Sequence, residues 1–85
     1  EHLELQIEEI EMGGTSPLLG CALKASPIRS ELGIIIVAIK KPRGGMVFNP
    51  APEAVLEKGD VLITLGHRQQ LDRLELMAQG GAAQA

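Results

Sequence analysis

Six consecutive apolar residues, Ile34-Ile35-Ile36-Val37-Ala38-Ile39, stand in a chain that otherwise mixes charge and hydrophobicity every few positions. The run is far too short for a membrane helix, which takes about 20 apolar residues. Five of its six side chains are β-branched, which favours a strand. Successive side chains of a strand point to opposite faces, so an unbroken apolar run predicts a strand over 33–41 with cover on both sides. Lys41-Pro42-Arg43-Gly44-Gly45 is turn chemistry. Met46-Val47-Phe48 is therefore expected to return as the second strand of a hairpin, ended by Asn49-Pro50.

The flanking segments supply the rest of one small domain. From Leu3 to Met12 apolar and charged residues alternate, first on odd positions (Leu3, Leu5, Ile7) and then on even ones (Ile10, Met12). That pattern reads as a half-buried strand with a bulge or break at Glu8-Glu9, where the phase changes. Ser16-Pro17 and Ser26-Pro27 each have the form of a helix start, a capping serine followed by a proline whose missing N–H costs nothing there. Two short helices are expected, the second stopped at Gly33. Lys58-Gly59-Asp60 turns into an apolar strand from Val61 to Leu65, and Gly66 precedes a helix from Arg68 to Gln79 whose buried face is Leu71, Leu74 and Met77 or Ala78.

The order of elements predicts an α+β fold, a small two-layer domain with a mainly antiparallel β-sheet and short helices. Residues 1–79 are read as the domain and 80–85 as a flexible tail. With a single aromatic residue, Phe48, the core has to be aliphatic. So few short helices cannot cover both faces of a sheet that is apolar on both, and a leftover apolar surface of several hundred Å2 marks an interface. A homodimer is expected.

Charge and chemistry exclude several functions. Eleven acidic residues against eight basic ones give a net charge of −3, which offers no broad cationic surface to nucleic acid. The lone Cys21 has neither a disulfide partner nor zinc-finger neighbours, which fits a reduced, cytoplasmic setting. Cys21 and the serines lack the paired base of a nucleophile, and no Gly-x-Ser-x-Gly elbow is present, so no enzyme is expected. Glu4, Glu8, Glu9 and Glu11 fan out along a strand instead of converging on a cation. His2 lies near the start of the chain, and His67 at a helix start has no acidic partner close in sequence. The absence of an initial Met suggests a piece of a longer protein, and a six-residue apolar run within this piece leaves open a membrane protein as the parent.

For ligand binding, the hairpin gathers Lys40, Lys41 and Arg43 beside Gly44-Gly45, where backbone can approach an anion closely. The alternative is a solvated turn.

One ordered set of motifs goes further. Ser16-Pro17-Leu18-Leu19-Gly20, the segment Gly33 to Lys41, Phe48-Asn49-Pro50, Leu56-Glu57-Lys58-Gly59-Asp60-Val61-Leu62 and Gly66 before a helix together resemble the TrkA-C domain, also called the C-terminal RCK domain. The resemblance spans Leu3 to Ala78. It implies a cytoplasmic regulatory module that binds ligands and dimerises, controlling potassium or other cation transport by a channel or transporter subunit of the parent protein. It also implies an effector, cyclic di-AMP between two copies or a divalent cation, and no cofactor within these residues. In the cyclic di-AMP mode Ile34 and Ile36 would touch a base, Arg43 would pair with a phosphate beside Lys41, and Asn49 would hydrogen-bond a base edge. The alternative, and the better supported of the two, is a core strand for the isoleucines and a turn-forming Asn-Pro for Asn49. Gly-x-Gly-x-x-Gly is absent, so any NAD site belongs to an upstream domain. The rival reading is a passive dimerisation scaffold whose sensing lies in that domain.

Overall fold

The structure, a computed structural model, describes residues 4–81. The expectations for His2, Leu3 and 82–85 lie outside that range. Four strands, β1 (Gln6–Glu11), β2 (Ile35–Lys40), β3 (Met46–Phe48) and β4 (Val61–Gly66), form one antiparallel sheet in the order β1-β4-β2-β3. Two helices complete the fold, α1 (Pro27–Ser30) and α2 (Arg68–Ala78). No described helix is long and apolar enough to cross a membrane.

The core is aliphatic, as the composition requires. Ile10, Ile39 and Leu62 sit side by side on the inner face, where α2 presses Leu71, Leu74 and Ala78 onto them, all buried. Thr64 is the polar member of that face. It is fully buried, and its hydroxyl donates to the Glu8 carbonyl at 2.8 Å, so its desolvation is compensated. Above it Glu8 meets Arg68, which also reaches Asp72 and clamps the start of α2 to β1.

The bulge falls in a different strand from the one expected. β1 pairs with β4 without a break from Gln6 opposite Gly66 to Glu11 opposite Val61. Its change of phase is a change of face: Ile10 and Met12 enter the core, while Leu5 and Ile7 keep the odd phase and stay exposed. The irregularity is in β2, where the register shifts between Ile36 and Ala38 and Val37 is the extra residue. One inserted residue reverses the alternation beyond it. Ile34 and Ile36 point inward on even positions, and Ile39 then points inward on an odd one. The six-residue run is thus buried on one face twice over, whereas Ile35 on the other face is 55% exposed.

Of the two Ser-Pro helix starts only the second makes a helix. Ser26 Oγ accepts the Ile28 N–H at 3.3 Å, Pro27 opens α1, and Gly33 at φ +68° follows its end. After Ser16-Pro17 the chain makes turns, and its helical geometry is limited to a single 3-10 turn at Leu23–Ala25. The Ser16 hydroxyl accepts the Leu18 N–H but donates to the carbonyl of Met77, and Gly20 N–H bonds to Leu56, so tertiary bonds draw the segment off before a second turn can form. Residues 20–24 instead run beside 52–56, bridged at Ala22 and Val55. At the far end of α2, Gly80 at φ +87° donates to Met77 and Gly81 to Leu76, the paired bonds of a Schellman cap.

Candidate functional site

β3 pairs only with Ala38, Ile39 and Lys40, and the Asn49 N–H adds one bond to the Val37 carbonyl. Ile34 to Ile36 therefore have no neighbour on that side. Asn49 adopts φ +52°, a left-handed conformation that asparagine tolerates better than most residues, and turns the chain away there into Pro50-Ala51-Pro52. Between this departing segment, the bare half of β2 and α1 lies an open groove of about 800 Å3. That volume lies in the range of small-molecule sites.

Three of the residues singled out from the sequence, Ile34, Ile36 and Asn49, line this groove. Ile34 is fully buried and forms its floor, Ile36 is half-buried, and Asn49 stands exposed at the rim. The groove also holds a cation that the sequence reading passed over. Arg29 projects from α1, exposed and without an ion pair or side-chain hydrogen bond among the described residues. Lys24, on the same wall, is 3.8 Å from Glu53 in a solvated pair. The one available signal for Arg29 was its place in a Ser-Pro helix directly before the apolar strand.

Lys41 and Arg43 are not brought into the groove. They line a separate, shallower concavity with Pro42, Glu57 and Lys58 at the other end of the hairpin. Nor do Lys40, Lys41 and Arg43 converge, because neighbours on a strand diverge. Lys40 reaches Glu9 at 3.7 Å, whereas Lys41 Nζ is 2.7 Å from Asp60 Oδ1 and 3.1 Å from Glu57 Oε1. Asp60 is completely buried, and its Oδ2 accepts the Glu57 N–H at 2.9 Å. Its Oδ1 has no aligned hydrogen bond, so the attraction of the Lys41 ammonium is what offsets its burial. Burial pulls the Lys41 pKa down, but the close Asp60 and Glu57 carboxylates together outweigh it and hold the group above its ordinary 10.5.

Among the described residues no three His, Cys, Asp or Glu side chains come together as metal ligands. His67 is the exposed residue ahead of α2 and makes no side-chain cap there, and Cys21 is half-buried with Sγ 3.8 Å from the Pro17 carbonyl.

The sheet's outer face is the second conspicuous surface. Ile7, Leu65 and Ile35 form one row across it, and Glu9, Ile63, Ala38 and Phe48 the next, with Lys40 reaching Glu9 over that row. Phe48 is 74% and Ile7 69% exposed at opposite edges of the sheet, and Met46, on the same strand as Phe48, is more than half exposed. Helix cover is confined to the inner face, as the helix count implied.

Comparison with known proteins fits this geometry. Potassium channel protein 1 of Methanocaldococcus jannaschii is 34% identical over 58 residues, 68% of this chain but 17% of that protein, so the chain spans less than a fifth of this relative's length. The RCK C domain of the potassium transport protein KtrA, solved in complex with cyclic diadenosine monophosphate, superposes with a TM-score of 0.74 at 35% identity, over 85% of this chain and 81% of that one. The RCK_C domain dimer of S. agalactiae BusR, also solved with c-di-AMP, gives a TM-score of 0.76 at 27% identity over 84% and 92%. A longer BusR chain, of which this one covers 36%, is solved with promoter DNA. The model of the TrkA-C domain matches residues 7–78. The antiparallel four-stranded sheet and its two helices match the fold of those relatives, and the chain belongs to the TrkA-C domain family of regulatory domains.

Proposed function

We propose that this domain is a cytoplasmic ligand-binding and dimerisation module that controls transport of potassium, or of another cation, by a channel or transporter in its parent protein, with cyclic di-AMP as the effector. The observation that carries the reading is the groove, which places apolar Ile34 and Ile36, the polar rim of Asn49 and the unpaired guanidinium of Arg29 around one space. A cyclic dinucleotide needs an apolar surface for its bases and a fork of N–H donors for its phosphates. Two relatives with the same fold are solved with that ligand.

In this reading the half-buried Ile36, supported from beneath by Ile34, contacts a base and Asn49 hydrogen-bonds its edge. Arg29 takes the phosphate role that the sequence assigned to Arg43. Arg43 and Lys41 act from the far end of the hairpin, through the field they add. The ligand lies between two copies, so it favours the dimer geometry that closes around it, and that difference in affinity is the whole of the signal passed to the transporter.

Calorimetric titration of the domain with cyclic di-AMP tests the proposal. A saturable heat at one ligand per two chains is expected, weakened at least tenfold in Arg29→Ala and little changed in Arg43→Ala. Silence up to millimolar ligand in a protein that is dimeric would refute the sensor. It would favour the passive scaffold, a reading that the exposed outer face of the sheet supports.

A further inference from the structure

We propose that the open edge of β1 is a docking site for an extended basic segment of another protein, which joins the sheet as a further strand with lysine or arginine beside Glu9 and Glu11 and apolar side chains beside Leu5 and Ile7. This edge lies at the far side of the sheet from β2, β3 and the groove. The proposal goes beyond the ligand reading and depends neither on the effector nor on the association of two copies.

β1 ends the sheet, since it pairs with β4 alone. Every second residue of such a strand turns its backbone N–H and C=O away from its neighbour, and those groups are a template for one more strand. Sheets ordinarily spoil an open edge with a proline, a bulge or a very short strand. β1 has none of these: its six residues contain no proline and keep an unbroken register with β4 from Gln6 to Glu11. The opposite edge strand, β3, is three residues long, so β1 is the edge that can accept a strand over several bonds.

The two faces of this edge differ. Toward the core Ile10 and Met12 are buried, and Gln6 and Glu8 are both held by Arg68 of α2. The odd positions face outward: Leu5 and Ile7, 46% and 69% exposed, and then Glu9 and Glu11. Glu9 has a solvated contact with Lys40 at 3.7 Å, a kind of pair that contributes little. Glu11 is exposed and joins no ion pair among the described residues. Along alternate positions the edge therefore reads apolar, apolar, acidic, acidic.

That pattern selects the occupant. Side chains directly opposite each other on neighbouring strands lie about 5 Å apart, where opposite charges attract and like charges repel. A second copy of β1 fits badly. Side by side in parallel register, two copies set Glu9 and Glu11 against themselves; antiparallel about Glu8, they set Glu9 opposite Ile7 and Glu11 opposite Leu5. An antiparallel strand reading basic, basic, apolar, apolar at alternate positions matches all four side chains at once, while main-chain bonds supply affinity.

Fluorescence anisotropy of a labelled, end-capped peptide, Lys-Thr-Lys-Thr-Val-Thr-Val-Thr, titrated with the 85-residue chain tests the proposal. Saturable binding below millimolar protein is expected, weakening as salt is raised. Glu11→Lys and Ile7→Lys should each weaken it roughly fivefold or more, because each removes a matched cross-strand pair and adds a positive charge at the edge. Glu31→Lys makes the same change of charge at the exposed end of α1 and should leave binding within about twofold, with circular dichroism checking that every variant folds. In hydrogen exchange, alternate β1 amides should slow in the complex. No binding to the folded wild type, equal binding of a peptide with glutamate at both lysine positions, an equal loss in Glu31→Lys, or unchanged exchange of the β1 amides overturns the proposal. Each of these results leaves the groove reading untouched, because the calorimetric titration with cyclic di-AMP reads a different part of the sheet.

Discussion

Replacing Lys41 by methionine removes the cation that faces the completely buried carboxylate of Asp60 while keeping most of the side-chain volume. Asp60 would keep one partner, the Glu57 N–H at 2.9 Å, and lose the charge 2.7 Å from its other oxygen. Breaking one side of a buried ion pair costs about 3–5 kcal/mol. Here the lysine end is 28% exposed, so water can reach the vacated side and the loss should fall lower, at about 2–3 kcal/mol. For a domain of this size each kcal/mol moves the melting temperature by about 4–8 °C. A drop of roughly 10–20 °C is therefore expected in a thermal melt followed by circular dichroism.

The partner variant isolates the cause. In Lys41→Met with Asp60→Asn the buried group is neutral yet still accepts the Glu57 N–H, so at least half of the loss should return. The pH dependence has a definite sign. Lys41 stands above its ordinary 10.5 in the folded state, so its contribution is fully present below that value and disappears as pH rises through the folded pKa. The gap between wild type and Lys41→Met should stay constant from neutral pH to about 10 and narrow above it. A single variant that melts within 2 °C of wild type, or a double variant no better than the single, would refute the claim that this ion pair holds the hairpin to the 57–60 turn.

Three further outcomes follow from other parts of the molecule. Ile36→Asp should prevent folding, since it sets an unpaired charge against the core, whereas Ile35→Asp one position away should fold; chemical denaturation of the pair checks the register at the Val37 bulge. Gly80→Ala should cost about 1–2 kcal/mol in a urea melt, because the residue sits at φ +87° and a Cβ there would run into Thr15. Thr64→Val should cost about 1–2 kcal/mol in the same assay through loss of the bond to the Glu8 carbonyl, and an unchanged midpoint would mean that this bond is not needed.

The elements were legible wherever local chemistry and tertiary contacts agree. The hairpin around Pro42 to Gly45, the strand after Gly59-Asp60 and the helix from Arg68 are all written in turn residues and periodicity, and the structure keeps them within a residue or two. Ser16-Pro17 shows where such signals stop. Its local pattern equals that of Ser26-Pro27, but the hydroxyl of Ser16 is claimed by Met77, 61 residues away, and no local pattern carries that information.

The candidate site divides along the same line. Ile34, Ile36 and Asn49 come together because they sit on either side of one hairpin, a relation the sequence states directly. Arg29 joins them only because α1 folds back along the bare half of β2, and Lys41 and Arg43 are kept apart from them by the length of the hairpin. Alternation alone would have turned Ile39 outward with Ile35. The extra residue at Val37 turns it inward and leaves Ile35 on the outer face beside Phe48. A single inserted residue in β2 thus decides which isoleucines build the core, which one lines both groove and outer face, and hence why the ligand groove and the open apolar surface meet at the same side chain.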